Sequence, residues 1–158
     1  MPCSICKENG HNSITCPGKK TDVVLESLLD ISPIVKFDID FITKLSTEIL
    51  DTLGAGHTES VYHNAIKVGL QDTALKFETE RDIIIKFRNR YVGTVRADII
   101  IENRLVIELK ASTGTDSVVS DAMEQCRIYM KETEIPYGVV VIFPKRVSGK
   151  LIIQQVSN

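Results

Sequence analysis

Two groups of residues in this chain have the types and spacing to do chemistry. The first is Cys3, Cys6, His11 and Cys16, which stand as C-x2-C-x4-H-x4-C. Zinc takes about four tetrahedral nitrogen and sulfur ligands, so the close Cys3/Cys6 pair can bind from one tight turn while His11 and Cys16 close the sphere. Gly10 can supply a left-handed turn that swings the imidazole inward. A segment this short cannot bury a core, so metal binding has to provide nearly all of its folding free energy. The second group is Asp98, Glu108 and Lys110, polar residues that interrupt otherwise apolar, strand-like runs. Glu108 and Lys110 are two apart and project from one face of a strand, with Ile107 and Leu109 on the other.

Where Asp98 stands relative to them depends on hairpin register. A loop of Glu102-Asn103-Arg104 sets Ile101 against Leu105, Ile99 against Ile107 and Ala97 against Leu109, one wholly apolar face. The same register places Asp98 opposite Glu108 and Arg96 opposite Lys110. A two-residue loop would mix the faces, so burial selects the odd-length connection. Opposed residues have Cβ atoms about 5 Å apart, and two carboxylates that close repel unless a proton or cation sits between them. Two carboxylates with several waters suit Mg²⁺ or Mn²⁺. Lys110 beside them can orient a metal-bound water or stabilise developing negative charge. The competing account is a salt-bridged solvent face of an antiparallel sheet. Ile100 and Val106 share the polar face and imply cover over it, which makes unpaired carboxylates costly there.

The elements that must hold these residues follow from hydrophobic period. From about Asp40 apolar residues Phe41, Leu45, Ile49 and Leu53 recur at helical spacing, and Gly54-Ala55-Gly56 interrupts them. A second helix from about His57 carries Val61, Ala65 and Val68, with Glu59 in its first turn, where the helix dipole favours a carboxylate. Strand-like runs follow at 83–87, 91–101 and 105–111, with a turn at Arg88-Asn89-Arg90. A helix from about Asp116 to Lys131 has Val119, Met123, Cys126 and Met130 on one stripe. The run from Gly138 to Phe143 is continuously apolar, as for a strand covered on both faces, and Leu151 to Val156 reads as an edge strand. This order predicts an α/β (α+β) layered domain with a mixed central sheet flanked by helices. Residues 1–18 form the zinc segment, 19–39 a linker with a short helix over Asp22 to Ile31, and 40–158 the main domain.

Composition bounds the partners. Of 158 residues, 19 are Lys or Arg and 21 are Asp or Glu, so nucleic-acid binding has to come from local patches. The patches available are Lys19 and Lys20 in the linker, and Lys86, Arg88, Arg90 and Arg96 around the first hairpin, which can lead phosphates to the acids. No apolar run approaches the roughly 20 residues needed to cross a bilayer. Three of the four cysteines sit in the metal-spaced cluster, which with no export signal points to an intracellular setting, cytoplasmic, nuclear or viral. His57 and His63 have no metal spacing with the acids and are read as surface or structural; Cys126 is read as core.

The N-terminal segment resembles a CCHC zinc knuckle through Gly10-His11-Asn12 and Thr15-Cys16-Pro17, with Ile5 and Ile14 where retroviral forms carry an aromatic. That resemblance implies Zn²⁺ and binding to single-stranded nucleic acid or, less often, to protein. Gly56-His57-Thr58-Glu59-Ser60-Val61-Tyr62 matches G-x-x-E-x-x-Y, and Arg96-Ala97-Asp98 followed by Glu108-Leu109-Lys110-Ala111 resembles the D…E-x-K core of the PD-(D/E)XK nucleases. With Gln125 and Tyr129 as a Gln-x3-Tyr pair, the stretch from about Asp40 to Val156 is similar to the GxxExxY family of that superfamily. The resemblance implies a restriction-endonuclease-like core, with Asp98 and Glu108 holding a divalent cation, Glu59 supporting its shell and Lys110 serving the attacking water. It implies contacts from Gln125 and Tyr129 to the phosphate or Lys110. Tyr62 is read as packing. The expected activity is cleavage of DNA or RNA, by a monomer or a homodimer. The alternatives are a nucleic-acid-binding protein that keeps the nuclease fold, or a protein-interaction adaptor.

Overall fold

A computed structural model of the chain describes residues 32–157. The zinc segment with Cys3, Cys6, His11 and Cys16, the linker lysines Lys19 and Lys20, and the short helix expected over Asp22 to Ile31 lie outside the described residues.

Helix α1 spans Pro33–Leu53, starting seven residues before the period alone suggests. Pro33 stands in the first helical turn, where its missing N–H has no intrahelical partner to lose. Gly54, at φ 78°, ends the helix by donating its N–H to Leu50 O. Helix α2 spans Glu59–Gln71. The buried stripes are Val35, Ile39, Ile42, Ser46 and Ile49 on α1, and Tyr62, Ile66 and Leu70 on α2. Both stripes are displaced from the expected ones: Leu53 and Val61 are exposed, and Val68 is 58% exposed. Each helix offers apolar residues on two adjoining faces, and packing chose between them.

Strands β1 (Phe77–Phe87), β2 (Arg90–Ile101) and β3 (Leu105–Ser112) form an antiparallel meander. Helix α3 (Asp116–Thr133) crosses over to β4 (Tyr137–Pro144), which lies parallel to β3, and β5 (Ile152–Ser157) closes the far edge antiparallel to β4. The sheet order is β1-β2-β3-β4-β5. This is the mixed sheet flanked by helices that the element order predicts, with β5 at an edge as expected.

Helices cover both faces. Val106, Val140 and Ile142 point to one side, where α3 contributes Ala122, Cys126, Tyr129 and Met130. The approach there is so close that a Cβ on Gly138 would lie 2.6 Å from Cys126 Sγ and Met130 Sδ. On the other side α2 packs on β3 and α1 on β4, with Tyr62 stacked on Phe143 at 4.1 Å between ring centroids. An ion pair ties α1 to the β2–β3 turn. Fully buried Asp38 accepts from Arg104 Nε at 2.7 Å and Nη2 at 3.0 Å.

The three-residue β2–β3 connection holds, and Ile99 pairs with Ile107, Ile100 with Val106 and Ile101 with Leu105. Beyond Ile99 the ladder stops. Three expected pairings are therefore corrected. Asp98 does not oppose Glu108 in the ladder; its carboxylate turns to the Leu109 N–H instead. Arg96 does not oppose Lys110; it pairs with Asp82 across β1–β2, with Nε 2.7 Å from Oδ1. Ala97 joins Ile100 and Val106 in the α3-side cluster instead of facing Leu109. The cause is a change of parity at Asp98, opposite which Glu80 of β1 takes φ 53° and leaves the β1–β2 pairing.

Candidate active site

The break at Asp98 builds the site. Once β2 veers away, the N–H groups of Leu109 and Ala111 on that edge of β3 lose their ladder partners, and a buried backbone donor needs an acceptor. Carboxylates supply both. Asp98 Oδ2 accepts from Leu109 N–H at 2.7 Å, and Glu59 Oε2 accepts from Ala111 N–H at 3.4 Å. Two acids from different elements are thus drawn to one strand edge. Between them opens a cleft of about 170 Å³ lined by Glu59, Ser60, His63, Glu80, Asp98 and Leu109.

Glu59 reaches this cleft because the turn before α2 is clamped. Tyr62 OH donates to Gly54 O at 2.8 Å and accepts from His57 N–H at 3.3 Å, while Gly56 N–H donates to Pro144 O at 3.0 Å. The tyrosine of the G-x-x-E-x-x-Y spacing is therefore a clamp under the loop that seats the glutamate, in keeping with the packing role read for it.

Glu108 lies behind the cleft, 1% exposed, with its Oε1 2.5 Å from Lys110 Nζ. Apart from that contact neither carboxylate oxygen has a hydrogen-bond partner. Burial, and then the Asp98 charge, push its pKa up to about 7. Burial also raises Asp98, against the Leu109 N–H and Lys110, which lower it. Burial pulls the Lys110 ammonium down, but the hydrogen bond and charge of Glu108 outweigh it and leave it above its ordinary value. Asp98, Glu108 and Lys110 thus act on one another's charge.

The remaining expected residues separate. Gln125 donates to Tyr129 OH on α3, as expected for residues one turn apart. Tyr129 is buried in the α3-side core, its hydroxyl pushed up by burial and by the nearby Glu108 and Asp98 charges. Neither residue lines the cleft. Lys86, Arg88 and Arg90 are exposed at the β1–β2 turn, where the Arg88 guanidinium sits 5.3 Å over the Phe87 ring.

His57 is structural, with Nε2 3.0 Å from Leu53 O and its ring edge-on to Tyr62. His63 is more than that. It lines the cleft, with Nε2 3.2 Å from Asp98 O. Its place four residues after Glu59 on α2 is the signal that could have found it, since i and i+4 share a helix face. Glu80 reaches the cleft through a backbone kink that no residue pattern announces.

Among the described residues no three His, Cys, Asp or Glu side chains stand close enough to hold a metal by themselves. Two carboxylates do fit the need of a hard cation that keeps several waters. The fit rests on Glu108, a buried carboxylate that lies beside a second acid, has the Lys110 ammonium as its donor, and has a raised pKa that a cation would offset.

No curated protein matches the chain. The crystal structure of SSO0001 is similar in fold, with a TM-score of 0.51 at 21% identity over 63% of this chain. The chain spans half the length of that protein. The family model of the PD-(D/E)XK nuclease superfamily matches residues 38–155, every described strand but the end of β5 and every helix but the start of α1. The chain belongs to the PD-(D/E)XK nuclease superfamily.

Proposed function

We propose that this protein hydrolyses phosphodiester bonds of DNA or RNA as a divalent-cation-dependent nuclease of the GxxExxY type. The observation that carries the reading is the buried Glu108 carboxylate, raised toward neutrality beside Asp98, with Lys110 against it. On this reading Asp98 and Glu108 hold Mg²⁺ or Mn²⁺, and Glu59 supports the shell from α2. The bound cation supplies Lewis-acid polarisation of the phosphate and eases deprotonation of water. Lys110 orients that water or offsets charge growing on the phosphate. Gln125 and Tyr129 steady the wall behind Glu108. Lys86, Arg88 and Arg90, with Arg96 nearer the sheet, guide the phosphate backbone.

Cys3, Cys6, His11 and Cys16 bind one Zn²⁺ per chain in this proposal, and the knuckle tethers nucleic acid near the cleft with help from Lys19 and Lys20. Metal analysis of purified protein that finds no zinc removes the knuckle. The catalytic reading is tested by cleavage of single-stranded, duplex and branched DNA and RNA with Mg²⁺ or Mn²⁺. Activity is expected for the parent and at least about 100-fold less for Lys110→Ala and Asp98→Asn, the scale of losing a transition-state electrostatic contact. Equal cleavage by parent and variants sinks it.

One observation favours a second reading, a nucleic-acid-binding protein that has kept the fold without the chemistry. The Glu108–Lys110 contact closes the acid away from the cleft, as a structural ion pair would. In that case Mn²⁺ leaves thermal stability unchanged and no substrate is cut, while polynucleotide binding persists.

A further inference from the structure

The loops that follow β3 and β4 leave the same end of this parallel pair. Between them is an open cleft of about 160 Å³, lined by Ser112, Thr113, Lys145, Arg146, Ser148 and Gly149 together with Pro144. Its chemistry is one-sided. Two cations and three hydroxyls line it and no carboxylate does. Neither Lys145 nor Arg146 makes an ion pair among the described residues. The volume is well below the roughly 300 Å³ at which sites for drug-sized molecules begin, and it suits a single phosphate group.

The walls are built rather than loose. Lys145 N–H donates to Ser112 O at 3.1 Å, joining the two loops, and Gly149 N–H donates to Arg146 O at 2.8 Å, closing a tight turn. A Cβ on Gly149 would lie 2.6 Å from Pro144 Cβ. Gly114, at φ 67°, lets the β3–α3 loop press onto β5, where a Cβ would lie 2.6 Å from Ile152 Cδ1. A third bond, Gly56 N–H to Pro144 O, anchors the second loop to the turn that seats Glu59.

Position gives the cleft its meaning. Ser112 is two residues beyond Lys110 on β3, about 7 Å along the strand at strand rise. That is the scale of one step between neighbouring phosphates on a polynucleotide. We propose that this cleft is a phosphate-binding subsite, which holds the backbone phosphate next to the one being cut. The inference rests on the nuclease reading for its role, and on the two loops alone for its affinity. Arg146 and Lys145 supply charge-assisted donors, and Ser112, Thr113 and Ser148 supply hydroxyls.

Two measurements on the full chain test it. In the first, inorganic phosphate is titrated while amide shifts are followed by NMR. Saturable shifts are expected at Ser112, Lys145, Ser148 and Gly149, and their loss in a Lys145→Ala/Arg146→Ala variant of unchanged melting temperature. In the second, a labelled 20-nucleotide strand and its duplex are bound to Lys110→Ala protein. Adding the two loop substitutions should weaken binding about 10-fold and reduce the salt dependence by about one to two units of log–log slope, one per phosphate contact removed. Absent phosphate shifts overturn the subsite, as does polynucleotide binding unaffected by the loop substitutions. A chain that shows the phosphate shifts but neither binds nor cuts any polynucleotide keeps the subsite and loses the nuclease reading.

Discussion

Glu108 is the residue whose chemistry can be measured without knowing the substrate. Its pKa is raised from 4.5 to about 7, so the folded state holds a proton that the unfolded chain releases. The stabilisation from that proton is complete below the unfolded value and is lost as pH rises through about 7. Metal-free protein should therefore lose stability between pH 5 and pH 8 on the order of 2 kcal/mol through this one group. A divalent cation takes the place of the proton, so Mn²⁺ should raise the melting temperature more at pH 8 than at pH 6, read by thermal denaturation. In Glu108→Gln the share of the pH dependence that Glu108 carries, and the Mn²⁺ effect, should be lost. Cleavage should rise with pH through the same range, since only the ionised acid serves as a ligand. Asp98 separates structure from chemistry in another way. Asp98→Asn keeps an acceptor for Leu109 N–H and should fold as well as the parent while losing activity. Asp98→Ala should cost a further ~1–2 kcal/mol in urea denaturation, because a partly buried donor is orphaned.

At the scale of elements, the site depends on two clamps. Tyr62 holds the α1–α2 turn through its hydroxyl and α2 against β4 through the Phe143 stack. Tyr62→Phe leaves the stack and removes the hydroxyl, so a loss of ~1–2 kcal/mol is expected together with reduced kcat, as Glu59 is no longer held at the strand edge. Intact kcat in that variant would show that the turn seats Glu59 without its help. The second clamp is α3 on β4 at Gly138. Gly138→Ala puts a methyl 2.6 Å from two sulfurs and should destabilise the protein by ~1–3 kcal/mol. Cys126 in that contact has its thiol pushed up to about 12 by burial, so thiol reagents should leave it unmodified in the native state.

For the molecule as a whole, the pair between Asp38 and Arg104 joins the start of α1 to the tip of the β2–β3 hairpin, 66 residues away in sequence. Arg104→Ala leaves a fully buried carboxylate unpaired, and a loss of ~3 kcal/mol or more is expected in chemical denaturation. If the knuckle acts as a tether, removing residues 1–18 should leave the melting temperature of the remaining domain unchanged. It should weaken polynucleotide binding about 10-fold or more by loss of effective concentration. Equal affinity with and without those residues would leave the knuckle with another task.

Much of this was legible in the residues themselves. Alternation and apolar runs located the other strands and helices to within a few residues, but α1 begins at Pro33, seven residues ahead of its expected start, and β1 begins at Phe77, six residues ahead of its apolar run at Ile83, because Phe77 to Asp82 alternate on a half-exposed edge. The three-residue hairpin and its register at Ile99–Ile107 followed from burial, since a slip by one residue exposes the whole apolar set. Asp98, Glu108 and Lys110 could be named because they are the polar residues a covered sheet would not otherwise keep, and Glu59 because it is the acid in the first turn of α2 within the G-x-x-E-x-x-Y spacing. Tertiary structure decided the rest. Which stripe of α1 and α2 turns inward is set by competition between adjoining apolar faces. The parity change at Asp98, the kink at Glu80 and the arrival of His63 come from β2 parting from β3, and strand divergence is a property of three packed layers rather than of any local pattern. A backbone donor left without its ladder partner then recruits the nearest carboxylate, so the acids converge where the sheet opens, and only the folded chain determines where that is.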